Sequence, residues 1–218
     1  MTELKKENSF IDLKTITIIV LGNMMTQISE EKQNIIRQIR EIYSIISKDK
    51  DFSKLIPEVR MNISGSLFRA KDKSEIAGIE GRITIINGFP KASGEIKFGV
   101  SDHTARLILT AKKYDNSINF VINLKYIPEL IESLKKNSNL ELQEIIREEQ
   151  PENIKKKEHS TMQWLIKESV KKRGKIPDII WDKGAMGKEP MMRLFGKNSN
   201  DIIRKLEQII KLIKKSKI

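Results

Sequence analysis

Two apolar runs joined by a short glycine-bracketed loop limit most strongly how this chain can fold. IPDIIWD ends at Asp182, KGAMGKEP follows, and MMRLFG runs from Met191 to Gly196. Short apolar runs bounded by turn residues predict buried strands. The segment from Ile176 to Gly196 therefore predicts a strand, a tight loop and a second strand.

The loop itself carries side chains that suit an anion. Asp182, Lys188 and Glu189 lie beside Gly184 and Gly187, so positive charge accompanies a backbone that a ligand can approach closely. This chemistry favours a phosphate. GAMGKE is not a Walker A loop, because the gap is too short and no Ser or Thr follows the lysine. An ordinary solvated strand connection explains the spacing equally well.

The composition indicates a protein of a reducing compartment. The 218 residues include no cysteine, and the first residues lack the apolar core of a signal peptide. The longest apolar run, from Ile18 to Leu21, is far shorter than the roughly 20 residues of a membrane span. We therefore expect a soluble, cytoplasmic protein without a membrane partner.

The net charge of +12 is typical of nucleic-acid-binding proteins, although a solvated basic surface explains it better. Many lysines fall on the polar faces of predicted helices, and only 6% of residues are aromatic, so platforms for base stacking are scarce. A positive field also draws anionic small molecules to a pocket. We therefore expect no nucleic-acid partner.

An amphipathic helix is predicted from about Glu30 to Ser47. Ser29 is a suitable N-cap, and isoleucines recur at three- and four-residue spacing from Ile35 to Ile46. The residues before it fit a strand or a helix equally well. The helix could pack on its own domain or on a partner subunit, which leaves a homo-oligomer open.

Beyond Lys54, short strands alternate with turns and helices. A helical turn is expected near Ser74 to Gly78, and Asn87-Gly88 signals a hairpin. Because several strands follow one another through hairpins, we predict an α/β fold with a mixed, largely antiparallel sheet covered by helices. We divide the chain into an N-terminal extension, 1–50, which holds the amphipathic helix, and one domain, 51–218.

Other residues with suitable chemistry lie in FGVSDH and in the predicted hairpin. With Ser101 as N-cap, His103 falls in the first turn of a helix, where free backbone N–H groups favour an anion. The guanidinium of Arg82 could donate a bidentate pair of hydrogen bonds to the same anion. Asp182 and Glu189 could hold magnesium through phosphate oxygens. His159 is expected on the surface, and two histidines alone do not build a zinc site.

Several separate motifs resemble one known family. IPEVRMNI, AKDKSEIAGIEGRI, FGVSDHTAR, NLKY, EEQPE and PDIIWDKGAMGKEPMMRLFG follow one another at similar spacing over some three-quarters of the chain. From about Ile56 onward the chain resembles ThiN, the archaeal-type thiamine-phosphate synthase domain, which is often fused behind a hydroxymethylpyrimidine (phosphate) kinase.

The resemblance implies a fold, a reaction and a pair of essential residues. The implied fold is a three-layer α/β/α sandwich of the AraD type, and the implied reaction joins hydroxymethylpyrimidine diphosphate to hydroxyethylthiazole phosphate with release of pyrophosphate and with help from magnesium. The family's essential arginine falls at Arg82 and its histidine at His103. Arg82, the helix end at His103 and Lys188 would then stabilise the departing pyrophosphate. Since 218 residues cannot contain both a kinase and this domain, a synthase without a kinase is expected.

Two further points accompany the resemblance. Arg60 stands where the family motif carries glycine, which puts the local backbone in question. Asn62 and Asn123 are candidates to read the pyrimidine ring, because an amide offers a donor and an acceptor together; local backbone bonding is the alternative role. A non-catalytic thiamine-phosphate sensor of a transcriptional regulator is the second functional hypothesis, although one clear N-terminal helix is not a helix-turn-helix.

Overall fold

The computed structural model of the chain describes residues 13–156 and 159–216. Within them, the helices are α1 (Leu13–Ile46), α2 (His103–Ala111), α3 (Pro128–Asn137), α4 (Glu152–Lys156), α5 (Thr161–Arg173) and α6 (Ser199–Ser216). The strands are β1 (Ile63–Ser66), β2 (Ile76–Ile79), β3 (Ile83–Ile86), β4 (Phe89–Ala92), β5 (Ile96–Phe98), β6 (Phe120–Lys125), β7 (Leu142–Glu144), β8 (Ile179–Asp182) and β9 (Met191–Gly196). Short 3-10 turns occupy Asp51–Leu55, Lys73–Glu75 and Arg147–Glu149.

Seven strands form the main sheet in the order β5-β2-β1-β6-β9-β8-β7. All neighbouring pairs are antiparallel except β7 and β8, which run parallel. The strands β3 and β4 form a separate hairpin, closed by Asn87 and Gly88 at φ +52° and +81°. The predicted mixed, largely antiparallel sheet and the Asn-Gly hairpin are therefore confirmed.

Helices cover both faces of this sheet, because alternate residues of each strand point to opposite sides. On β6 and β9, Ile122 and Leu194 contact the larger core, to which α3, α6 and the end of α1 also contribute. Val121 and Phe195 face a second core, built with α2 and α5. This arrangement confirms the predicted three-layer α/β/α fold.

The N-terminal helix is longer than the sequence pattern predicted. It begins at Leu13 instead of near Glu30, so the ambiguous residues up to Ile28 that the structure describes are helical. Its isoleucines from Ile35 to Ile46 are buried in the core. Because Leu13 to Ile46 is one continuous helix, this segment contains no helix-turn-helix for the sensor hypothesis. The residues before Leu13 lie outside the described range.

One strand was missed by the sequence pattern. The expected helical turn near Ser74 to Gly78 is a single 3-10 turn, Lys73–Glu75, held by a capping box on Asp72. The chain then enters β2 at Ile76 and pairs with β1 and β5. Tertiary pairing overrides the weak local helical signal here.

No helix of the described chain is both long enough and apolar enough to cross a lipid bilayer.

Candidate functional site

Two adjoining cavities bring the predicted site residues together. The larger cavity has a volume of about 450 Å³, and the smaller cavity one of about 180 Å³. Both are bounded by Val59, His103, Met162, Met191 and Arg193. The larger is also lined by Arg106, Arg147, His159, Thr161, Asp182, Gly187, Lys188 and Glu189. The smaller is also lined by Asn62, Arg82, Val100, Ser101, Asp102, Thr104, Leu107 and Asn123.

Strand alternation places the polar side chains of the site on one face of the sheet. Asn123 of β6 pairs with Arg193 of β9, which in turn pairs with Ile180 of β8. Ile180 belongs to the core on the α2 and α5 side, so the side chains of Asn123, Arg193 and Asp182 share that side. Arg193 Nη1 donates to Asp182 Oδ2 over 2.7 Å, and both residues are buried.

The glycine loop is folded tightly by its own backbone. Gly184 N donates to Asp182 Oδ1 over 2.9 Å, and Ala185 and Lys188 exchange two backbone hydrogen bonds. Gly184 and Gly187 have φ of +76° and +69°, in the left-handed region that favours glycine. The loop turns Gly187, Lys188 and Glu189 towards the larger cavity.

Glu189 and Lys188 differ in how freely they can meet a ligand. The Glu189 carboxylate accepts the backbone N–H groups of Glu58 and Val59, over 2.8 and 3.1 Å, and so ties the loop to the segment before β1. Burial and the charge of Arg147 lower the pKa of Lys188, whereas Asp182 raises it. The side chain of Lys188 lines the larger cavity.

His103 is the first residue of α2 and lines both cavities. Partial burial and the positive charge of Arg106, Arg82 and Arg193 lower the pKa of His103, against the opposing effect of Asp102. The imidazole is therefore neutral at pH 7, and its ring carries one donor and one acceptor. It lies at a helix N-terminus, where an anion is favoured.

Ser101 does not cap this helix, which corrects the sequence prediction. Asp102 holds the N-cap position without a side-chain cap, because its carboxylate pairs with Arg106 and Lys73 instead. The Ser101 hydroxyl bonds the hydroxyl of Thr104, which is 2.6 Å from Ser64 Oγ. Ser101 thus belongs to a buried hydroxyl chain at the floor of the smaller cavity.

Arg82 and Arg60 both have left-handed backbones beside the smaller cavity. Their φ angles are +69° and +68°, a conformation that costs a side-chain-bearing residue about 1–2 kcal/mol. Arg82 lies just before β3 rather than within it, and its Nη1 donates to Val59 O over 2.5 Å. The left-handed backbone of Arg60 explains why the family motif carries glycine at this position, since glycine adopts that conformation without strain. Both also line an outer cavity of about 400 Å³.

The two asparagines already bond backbone groups. Asn62 pairs through its amide with Ile79 N and O over 2.9 and 3.1 Å. Asn123 accepts Asn62 N over 2.8 Å and donates to Arg60 O over 3.0 Å. Each amide oxygen keeps one lone pair for a ligand, and Asn62 also keeps one N–H, whereas the second N–H of Asn123 is directed at Met191 Sδ over 3.8 Å. Their role in reading a pyrimidine ring stays a prediction.

His159 is exposed, as expected, but it also lines the larger cavity. Its Nδ1 is 3.8 Å from Asp102 Oδ2, and its backbone has a φ of +62°. The sequence pattern did not predict that His159 lies near Asp102 and the larger cavity, because this proximity depends on tertiary packing near α2.

Three arginines of the larger cavity, Arg106, Arg147 and Arg193, had not been singled out from the sequence. Arg147, in the turn next to the EEQPE motif, is 5% exposed, and its Nε lies 3.8 Å from Asp182 Oδ1. Arg106 follows His103 by one helical turn, and its side chain is 10% exposed. The i,i+3 spacing from His103 could have indicated Arg106. No local pattern marks Arg147.

The carboxylates expected to help hold magnesium already have protein partners, and their role towards the metal stays a prediction. Asp182 lies between Arg193 and Arg147, so two cations oppose a metal ion there. Both oxygens of Glu189 accept backbone N–H groups. Among the described residues no group of three or more His, Cys, Asp or Glu could hold a metal ion.

Four basic side chains and two carboxylates line the larger cavity, and these six groups have a formal net charge of +2. The fold and the site together define an α/β protein whose positively charged site, beside a neutral histidine, fits phosphorylated small molecules.

The comparisons with known proteins agree with this class. The model of the family described as "Thiamine-phosphate synthase ThiN" matches residues 38–208. The chain is 30% identical over 182 residues to the thiamine-phosphate synthase ThiN of Methanothermobacter thermautotrophicus, covering 84% of this chain and 94% of the relative. It is 38% identical over 183 residues to the bifunctional thiamine biosynthesis protein ThiDN of Methanocaldococcus jannaschii, covering 83% of this chain and 42% of that protein.

A solved structure shows the same fold. The crystal structure of the C-terminal domain of protein MJ0236 superposes with a TM-score of 0.76 at 36% identity, covering 84% of this chain and 97% of that domain. The chain belongs to the ThiN family of thiamine-phosphate synthases, transferases of thiamine biosynthesis.

Proposed function

We propose that this chain joins hydroxymethylpyrimidine diphosphate to hydroxyethylthiazole phosphate, giving thiamine phosphate and pyrophosphate. One observation carries the proposal beyond family membership: a cavity with four cationic side chains, two of them buried arginines, adjoins a smaller cavity across His103. Both substrates of this reaction carry phosphate groups, so a site for them needs an excess of positive charge.

The chemistry needs positioning and charge stabilisation rather than a covalent nucleophile. The bond between the pyrimidine methylene carbon and the diphosphate oxygen breaks, and its electron pair leaves with the oxygen. The thiazole nitrogen then donates its lone pair to the methylene carbon. No proton has to move for atoms and charge to balance. Preorganised cations that meet the charge on the leaving oxygens lower this barrier.

Arg82 and His103 form the catalytic pair of this proposal. His103 lies on the wall that both cavities share, where a neutral imidazole can donate one hydrogen bond to a phosphate oxygen. Arg82 also lines the smaller cavity, and its left-handed backbone points to a position held for function rather than for stability. Lys188, Ser101, Asn62 and Asn123 complete the proposed binding groups, while Asp182 orients Arg193 and Glu189 orients the loop.

In this proposal, magnesium is bound only through the oxygens of the diphosphate. Mg²⁺ binds phosphate oxygens readily and keeps several waters, so it does not require a cage of protein carboxylates. We assign it no protein ligand. Titrating the metal against activity, with the diphosphate concentration held fixed, tests whether product formation depends on it.

The decisive experiment is synthesis from purified components. The protein is mixed with both substrates and magnesium, and thiamine phosphate and pyrophosphate are quantified over time. We expect the two products in equal amounts. A folded sample that forms no thiamine phosphate and binds neither substrate contradicts the proposal.

We further propose a cytoplasmic location and self-association. Both substrates are charged and do not cross a bilayer unaided, so the enzyme has to act where they are made.

In α1, five apolar side chains between Val20 and Ile28 are 45–72% exposed, and no charged residue occurs from Thr15 to Ser29. Two copies of such a surface can pair without charge repulsion, so the proposed occupant is a second copy of this chain.

A further inference from the structure

The guanidinium of Arg147 is buried but not satisfied within the fold. The residue is 5% exposed, and its Nε and Nη1 have no hydrogen-bond partner. Its closest carboxylate oxygen, Asp182 Oδ1, lies 3.8 Å from Nε, which is too far for a hydrogen bond. A buried cation with unmade hydrogen bonds destabilises a fold, so such a group calls for a ligand.

Asp182 does not make these hydrogen bonds, and its carboxylate is bonded to other donors. Arg193 Nη1 donates to its Oδ2 over 2.7 Å, and Gly184 N donates to its Oδ1 over 2.9 Å. Arg147 and Arg193 therefore share the single negative charge of Asp182, which leaves one positive charge between the two arginines. The side chain of Arg147 lines the larger cavity, which places the unmade donors beside the space a ligand would fill.

The neighbours of Arg147 favour an anion with more than one negative group. Arg106, Arg193 and Lys188 reach the same cavity from α2, β9 and the glycine loop. Arg106 Nε is also buried without a hydrogen-bond partner. Donors that converge from three elements suit a diphosphate, which presents oxygens on two phosphorus atoms, better than a single phosphate. Arg82 lines only the adjoining smaller cavity, so it can reach the diphosphate only where the two cavities meet, beside His103.

We propose that Arg147, supported by Arg193, Arg106 and Lys188, holds the diphosphate of the pyrimidine substrate and then the pyrophosphate product. This rests on the proposed synthase function. As the methylene carbon to oxygen bond breaks, one more negative charge develops on the diphosphate, and the fixed guanidinium of Arg147 stabilises it without reorganisation. The monophosphate of the thiazole substrate binds elsewhere in the site.

The test compares Arg147→Met with Arg204→Met, which changes an exposed arginine of α6 in the same way. Inorganic pyrophosphate binding is measured by calorimetry, and KM is measured for each substrate. We expect Arg147→Met to weaken pyrophosphate binding and to raise KM for the diphosphate substrate, each by roughly tenfold to a hundredfold. KM for the thiazole phosphate and all values of Arg204→Met should stay within about twofold.

Folding is controlled within the same series. Methionine replaces an unsatisfied buried cation with an apolar chain of similar length, so the melting temperature should hold or rise. Arg147→Lys retains the charge but loses the planar guanidinium, so it should bind pyrophosphate with intermediate affinity. This variant also provides the comparison if Arg147→Met does not fold.

The outcomes separate this inference from the proposed function. A folded wild type that makes no thiamine phosphate overturns the function. An active wild type whose Arg147 variants bind pyrophosphate normally overturns the diphosphate assignment. Equal KM increases for both substrates would also overturn it, since they would show a general loss of the site.

Discussion

Replacing Gly184 with alanine should damage both the stability and the substrate binding of this protein. An added Cβ would lie 2.4 Å from the carbonyl oxygen of Lys188 and 2.9 Å from the nitrogen of Pro190. Both are backbone atoms, so no side-chain rotation relieves the contact. The loop has to open, and Lys188 and Glu189 then move away from the larger cavity.

Gly187 provides a matched control in the same loop. It has a similar positive φ, +69° against +76° for Gly184, but a Cβ there would meet no atom within 4 Å. Gly187→Ala should therefore lower the free energy of unfolding only by the cost of the left-handed backbone, on the order of 1 kcal/mol. Gly184→Ala adds overpacking, which brings the loss to about 3 kcal/mol. For a chain of this size these losses correspond to roughly 3 °C and 9 °C in Tm.

Thermal unfolding followed by circular dichroism, together with steady-state kinetics on both variants, checks this reasoning. Gly184→Ala should also raise KM for the diphosphate substrate several-fold more than Gly187→Ala does. If the two variants melt at the same temperature and have equal KM, the loop does not hold Lys188 and Glu189 as described.

The remaining predictions concern the catalytic pair, pH, backbone strain and self-association. Arg82→Ala and His103→Ala should each lower kcat by about a hundredfold or more with little change in Tm, and full turnover in both would remove the catalytic pair from the proposal. The pKa of His103 lies below its ordinary value of 6.5 in the folded protein, so the neutral form persists as pH falls through 6.5. The acidic limb of the pH profile of kcat/KM should therefore have its inflection below pH 6.5. An inflection above pH 6.5 would contradict the neutral imidazole. The unfolded state takes up this proton more readily, so wild type should lose stability below pH 6.5 relative to His103→Gln. Arg60→Gly should raise Tm by about 2 °C, because the relief of strain exceeds the added chain entropy of the unfolded state; an unchanged or lower Tm would argue against strain at this position. Met24→Glu should convert a dimer into a monomer in light scattering, and a wild type that is already monomeric would refute the proposed pairing.

The sequence by itself determined the elements whose signals are local. The Asn-Gly hairpin, the apolar strands around the glycine loop and the largely antiparallel sheet all follow from spacing and turn chemistry over a few residues. The family motifs also selected residues that prove to share two adjoining cavities, because a motif records which side chains stay together regardless of distance along the chain.

Only the tertiary structure decided which of these groups are satisfied and which are left with unmade bonds. Ser101 loses its capping role to a contact with Thr104, and the amides of Asn62 and Asn123 bond backbone brought in from β2 and from Arg60. Arg147 becomes a candidate ligand-binding group because the fold buries it beside an aspartate that Arg193 already occupies. Whether a polar side chain is satisfied depends on partners distant in sequence, so no local pattern could reveal it.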